Sequence, residues 1–279
     1  MQLVHNTYGK GRVRVMRVHR DGEHNEVREL TVQAMLEGEF GRAYTHGDNR
    51  AVVATDTVKN ICYIVARENL RACAEHYAGA LAVRLLDRYP QVSRVTVQTW
   101  ETRWRRASFD GAEHPHSFTL DGNGRPTASL TRNRDGEAAV SSGVEGYTLM
   151  KSTASGWDNF VQDEYTTLPP TTDRLAATAM DASWAWDRAP ADYEAANAAL
   201  LGAMLREFAS TYSHGIQDSL YRMACRALEA VPEVGRISLA CPNKHYIPVA
   251  LGRFGLPDDN CVFAATDEPH GQIECILSR

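Results

Sequence analysis

The sequence has no apolar stretch approaching the roughly 20 residues that cross a bilayer, so no membrane-spanning helix is expected. It has no CxxC pair and no zinc-ligand spacing, so a structural zinc site is not expected either. No long basic run interrupts a formal net charge of -5, and arginines are scattered among acids, which argues against nucleic acid as a partner. Dinucleotide-binding, flavin and phosphate-loop signatures are missing. Met1-Gln-Leu-Val-His-Asn6 lacks the charged head and apolar centre of a secretory leader, and Ile276-Leu-Ser-Arg279 is not a Ser-Lys-Leu address. The six cysteines, Cys62, Cys73, Cys225, Cys241, Cys261 and Cys275, are spread through the chain, mostly among apolar neighbours. Buried free thiols in a reducing cytoplasm are therefore expected.

What the chain does have is apolar content: 43% of its 279 residues are hydrophobic, which predicts a large packed core. Arg12-Val13-Arg14-Val15 and Glu29 to Leu36 alternate, and His19 to Glu23 supplies a turn between them, so the chain opens on a β-hairpin. After Thr55 the period changes. Ile64, Val65, Leu70, Cys73, Ala74, Tyr77, Leu81 and Leu85 fall at helical spacings, in one or two helices, until Pro90 stops the pattern. Val92 to Trp104 alternates again, with Val95, Val97 and Thr99 on one face. A further strand is predicted at Ser117 to Leu120, closed by the turn Asp121-Gly-Asn-Gly.

The second half repeats this order. Strands are predicted at Ala138 to Ser152 and Leu175 to Trp186, with Met180, Ala182, Trp184 and Trp186 on one side. Helices follow at Tyr193 to Phe208 and Gln217 to Val231, then strands at Gly235 to Cys241 and Cys261 to Ser278. The class is α+β: two tandem ββααββ units, 1–137 and 138–279, each an antiparallel sheet with helices on one face. Such sheets must protect their edges, and joining several units edge to edge is one way, so an oligomer with sites in clefts between units is expected.

Val52-Val53-Ala54-Thr55-Asp56-Thr57-Val58-Lys59-Asn60 marks the first long helix start. Thr, Asp and Asn cap helix N-termini, and a helix start also suits an anion or the edge of an electron-rich ring. The local residues leave both readings open. Pro242-Asn243-Lys244-His245, at the predicted end of a strand, serves a loop as readily as a site. His114-Pro115-His116 lacks a third metal ligand at a recognisable spacing, and the proline favours loop packing. No metal is expected.

Taken together, seven blocks resemble the urate oxidase (uricase) family: Tyr8-Gly-Lys10, Val53-Ala-Thr55-Asp56-x-x-Lys59-Asn60, His114-Pro-His-Ser-Phe118, Leu149-x-Lys-Ser-Thr153, Asp163-x-Tyr-Thr-Thr-Leu168, Asp173-Arg174 and Pro242-Asn-Lys-His245. Each is weak alone, but they occur in the family's order and span nearly the whole chain. The resemblance implies a tunnelling fold (T-fold), with four chains stacked into a hollow barrel. It also implies oxidation of urate by O2 and water to 5-hydroxyisourate and hydrogen peroxide, with no metal or organic cofactor. Another T-fold enzyme acting on purines or pterins, and a purine-binding module without turnover, are the alternatives.

The same resemblance assigns roles. Arg174 clamps the planar anion with paired donors, and the Gln217 amide closes the other edge. The backbone N–H groups of Asp56 and Ile216 hold ring heteroatoms, and Leu168 packs beside the ring. Trp157 stands where the family usually has a stacking Phe, with Phe160 as the alternative floor. A proton relay of Lys10, Thr55 and His245 activates urate, while Thr55 and Asn243 hold O2 or water. In the family, Lys10 and Thr55 come from one chain, and Arg174, Gln217, Asn243 and His245 from its neighbour.

Overall fold

Alternating burial along β1 (Tyr8–His19) and β2 (Glu26–Gly38) makes one wet and one dry face: Val13, Val15, Leu30, Val32, Ala34 and Leu36 are buried, while Arg14 and Met16 are exposed. The computed structural model describes residues 1–266 and 268–279, with position 267 given by its backbone. Two units divide the chain, Met1–Gly143 and Val144–Arg279.

In the first unit β1 and β2 lead through a short helix, α1 (Gly41–His46), to α2 (Thr55–Asn69) and α3 (Ala74–Arg88). Val58, Cys62, Val65 and Ala66 line the dry side of α2, and Tyr77, Ala78, Leu81, Ala82, Leu85 and Leu86 that of α3. These stripes pack on Val32, Ala34, Val95 and Val97 of the sheet in one cluster. The Tyr77 hydroxyl, buried between the helices, donates to the Cys62 carbonyl at 3.1 Å. The remaining strands are β3 (Val92–Thr102), β4 (Trp104–Phe109), β5 (Ala112–Leu120) and β6 (Arg125–Asn133). The main sheet of this unit runs β1-β2-β3-β6, with antiparallel neighbours.

Here the structure corrects the expectation. The predicted strand at Ser117 to Leu120 does not join this sheet. It is the end of β5, which pairs with β4 in a separate two-stranded ribbon. The fourth sheet strand is β6, and Asp121 to Gly124 links the ribbon to it rather than closing a hairpin. The ribbon is tied back to the unit by Trp104 Nε1–H on Glu29 at 2.9 Å. His114, Pro115 and His116 lie in β5, not in a loop; the two imidazoles meet edge to face at 4.5 Å.

In the second unit β7 (Ala138–Lys151), β8 (Ala176–Trp186), α4 (Tyr193–Ser210), α5 (Ile216–Ala230), β9 (Val234–Pro248) and β10 (Phe263–Ser278) follow in order, with strands arranged β7-β8-β9-β10. The expected boundary after residue 137 coincides with the start of β7, and the division between units falls inside that strand. Met180, Ala182, Trp184 and Trp186 are all buried on one face of β8. Trp186 meets Tyr193 of α4 edge to face at 5.2 Å, and the α5 stripe of Leu220, Met223, Ala224, Ala227 and Leu228 and the β9 residues Ile237, Leu239 and Cys241 are buried as well. Strand β9 does not stop at Cys241. It continues through Pro242 to Pro248, so Asn243 and His245 are strand residues. Of the six thiols, Cys62, Cys73 and Cys241 are buried, Cys225 and Cys275 are half-buried, and Cys261 is exposed, contrary to its expected burial.

Candidate active site

Chemistry-bearing side chains gather in each unit at the start of one helix. In the first unit that helix is α2. Its N-cap position is Ala54, one residue before the expected Thr55, and no side chain caps it. Thr55 is the first helical residue, so the N–H groups of Thr55, Asp56 and Thr57 precede the first rung of the helix ladder, which runs from Val58 N–H to the Ala54 carbonyl at 3.1 Å. The Asp56 carboxylate does not turn back to cap them. It reaches along the helix to Lys59, and to the Asn60 amide at 3.3 Å. The Lys59 ammonium, helped by Asn60 and by Lys10, holds the Asp56 carboxyl below the usual range.

Lys10 is brought to this helix by β1. It pairs with Ala34, and the register slips between Lys10 and Val13, where Arg12 takes a positive φ of 55°. Such a bulge turns the strand and re-aims the neighbouring side chain. The Tyr8 hydroxyl accepts from the Val53 N–H at 2.8 Å, and its ring meets Phe40 edge to face at 4.7 Å. That bond ties the start of β1 to the segment entering α2. Gly9, between Tyr8 and Lys10, lies where a Cβ would strike the Ala34 backbone carbonyl. The Tyr-Gly-Lys block thus brings Lys10 near enough to Asp56 for its charge to be felt there, all in one unit.

In the second unit the helix is α5. Its N-cap is Gly215, which has no side chain to offer, and Ile216, the first helical residue, is buried. A loop from β7 folds over this helix start. The Gly156 N–H donates to the Ser213 carbonyl at 2.8 Å, and Ser213 N–H returns to Ala154 at 3.0 Å. Trp157 and Thr171 exchange both backbone bonds, at 2.7 and 2.9 Å. Arg174 N–H donates to Ser155 at 2.9 Å. Two of the sequence blocks meet directly, as the Thr153 hydroxyl donates to Asp173 at 2.8 Å. Within the Asp163 block, the Asp163 carboxylate accepts from the Tyr165 N–H and the Thr166 hydroxyl, each at 3.0 Å, making a self-bonded turn ahead of Leu168.

This framework brings the Trp157 ring to the start of α5, where the space beside Gly215 is bounded by the indole and the Gln217 amide oxygen. The Arg174 guanidinium lies 5.6 Å from the Trp157 ring centroid. Phe160 stacks on the same indole at 5.7 Å with 13° between planes, so the two candidate floors form one aromatic pair. Burial pushes the Arg174 pKa down from its ordinary value, with Tyr212 opposing, yet a guanidinium stays charged. Its Nε is buried and finds no hydrogen-bond partner among the described residues. A buried charged donor left open in this way is suited to an acceptor arriving from outside the chain.

Asn243 and His245 stand two residues apart on β9, on the face that carries Leu239 and Cys241. Asn243 lies between Thr178 of β8 and Gly271 of β10; His245 pairs with Thr266 of β10. Both are half-buried. Thr55, Asp56, Gln217 and Leu168 are exposed in the single chain, Leu168 by 57%. Among the described residues, no group of three or more His, Cys, Asp or Glu side chains is placed to hold a metal ion, and no helix is long and apolar enough to cross a membrane. Sequence reasoning missed Gly215, Ser155 and Ser213, which carry no charge or reactive group to mark them.

A family model described as Uricase matches residues 6–131 and 140–274. A protein named uricase from Cyberlindnera jadinii is 36% identical over 99% of this chain and 97% of its own. Another from Arthrobacter globiformis is 36% identical over 99% of this chain and 90% of its own. The crystal structure of uricase from Arthrobacter globiformis superposes with a TM-score of 0.94, covering 100% of this chain and 95% of that one at 36% identity.

Proposed function

The chain belongs to the uricase family, and from that premise we propose that it oxidises urate with O2 and water to 5-hydroxyisourate and hydrogen peroxide, using no metal or organic cofactor. The observation that carries the reading is the match to uricases along nearly the whole chain, joined to the two uncapped helix starts, α2 and α5, that collect the candidate residues. Two electrons leave the purine for O2, which becomes peroxide, and water supplies the hydroxyl placed on the ring. Nothing in a match of this length favours a pterin enzyme or a binder without turnover.

The roles follow from chemistry. Urate is flat, electron-rich and anionic. Arg174 supplies the paired, charge-assisted donors such a ligand needs. Its open Nε supports this assignment. The Gln217 amide closes the opposite edge, and Trp157 provides the π-face. The first N–H groups of α2 and α5, at Asp56 and Ile216, hold ring heteroatoms at the positive ends of the helix dipoles. Leu168 covers the side of the ring. Lys10 takes a proton from urate, Thr55 passes it through its hydroxyl, and His245 receives it; acid–base help of this kind is worth roughly 10² to 10⁴-fold. Asn243, with Thr55, holds O2 and then water above the ring.

The reading includes a homotetramer in the cytoplasm, with each site built from two chains. The exposure of Thr55, Asp56, Gln217 and Leu168 in the isolated chain supports it. So do the end strands β1 and β10, whose outer backbone groups stand ready to pair with another chain. The test is an assay on metal-stripped protein. Urate's ultraviolet band should bleach with matched O2 uptake and peroxide release. Activity lost on chelation and regained on adding metal would refute the cofactor-free reading.

A further inference from the structure

Gly215 has no conformational reason to be glycine. Its φ of 172° and ψ of 169° are extended backbone that any residue adopts. The reason is space. A Cβ at this position would lie 2.8 Å from Trp157 Cζ3 and 3.2 Å from Trp157 Cε3, with Gln217 Oε1 also at 3.2 Å. The atoms it would meet belong to the six-membered part of the indole, the part by which Trp exceeds Phe. We infer that Gly215 is a positioning residue, matched to Trp157: the missing side chain fixes where the indole lies, and with it the slot between the indole, Arg174 and Gln217. This rests on the reading of Trp157 as the floor under the purine.

The indole cannot easily retreat. Its backbone is held by the paired bonds to Thr171, and Gly156 by the bond to Ser213. Phe160 and the Arg174 guanidinium both lie against the ring system. A methyl group on residue 215 therefore tilts the ring toward one of them, or displaces the Gln217 amide. Each outcome misplaces a group that grips the ligand. A Phe at position 157 would leave the crowded volume empty, so the larger ring and the smaller neighbour belong together.

The experiment compares the intact enzyme with Gly215→Ala, Trp157→Phe, the double variant and Trp157→Ala. Urate is titrated calorimetrically without O2, and kcat and KM are measured with O2. Overpacking of this size predicts that Gly215→Ala weakens urate binding roughly tenfold, mostly through KM. In the Trp157→Phe background the same change should cost less than about threefold. If Gly215→Ala does not fold, the double variant should, and that rescue reads the pair directly. Wild-type affinity in Gly215→Ala, an undiminished loss in the Phe background, or a double variant that also fails to fold overturns the pairing. Unchanged urate binding in Trp157→Ala shows instead that the indole is not the floor, and the pairing's role in binding falls with it.

Discussion

Helices α4 and α5 follow one another in the chain and begin in opposite ways. The Asp192 carboxylate accepts from the N–H groups of Glu194 at 2.8 Å and Ala195 at 3.1 Å, closing the start of α4. Gly215 closes nothing at the start of α5. The first unit repeats the contrast: Cys73 Sγ accepts from the His76 N–H at the start of α3, whereas α2 begins at Ala54 with no side-chain cap. A missing cap costs about 1 kcal/mol. The short α1 also starts without a cap, but of the two long helices in each unit the uncapped one is where the candidate residues gather. On the proposed reading, the closed starts serve the fold and the open starts serve the ligand.

That contrast can be broken at several points. The largest effect is expected at Arg174, the cation beside the open start of α5. Arg174→Ala should weaken anaerobic urate binding by about 2–5 kcal/mol, roughly 30-fold to several thousand-fold, as for other truncations of a desolvated charged partner. Calorimetric titration reads it. At the other open start, Thr55→Ala should lower turnover roughly 100-fold while moving anaerobic urate affinity far less, because the hydroxyl works on the proton and not on the grip. Steady-state rates alongside the same titration separate the two.

A milder change sharpens the comparison by closing an open start. Ala54→Asp offers α2 the carboxylate cap it lacks. The melting temperature should rise by a few degrees and urate affinity should fall about tenfold, since the cap occupies the same N–H groups and repels the anion. The smallest effect on function belongs to a closed start. Asp192→Ala should cost about 1 kcal/mol of stability in a denaturant titration and leave kcat and KM as they were.

Much of this architecture was legible in the residues. Alternation at Val95, Val97 and Thr99 and at Met180 to Trp186 marked dry strand faces, and the stripes of α2, α3 and α5 marked helices, because periodic burial is written directly into sequence. Helix α1 was not visible, since six residues hold too few turns to show a stripe. Strand β6 was masked by its polar residues, Arg125, Thr127, Ser129 and Arg132. The continuation of β9 was hidden by Pro242, which reads as a stop because it cannot donate to a ladder. Candidate site residues came from the resemblance rather than from local pattern, since Lys10 or Arg174 alone is indistinguishable from a surface charge. The contact between Trp157 and Gly215 was out of reach altogether, because it depends on a loop folding over a helix start far along the chain.

The proposed site sets Lys10 and Thr55 of one chain against urate held by Arg174 of another, and complementation puts it to the test. One protein carries Lys10→Ala and Thr55→Ala, a second carries Arg174→Ala, and each alone should be nearly inactive. Co-expressed and isolated as mixed assemblies, they should regain urate oxidation, because some sites then combine an intact relay with an intact clamp. Mixed assemblies that remain as inactive as either parent would show that relay and clamp belong to the same chain.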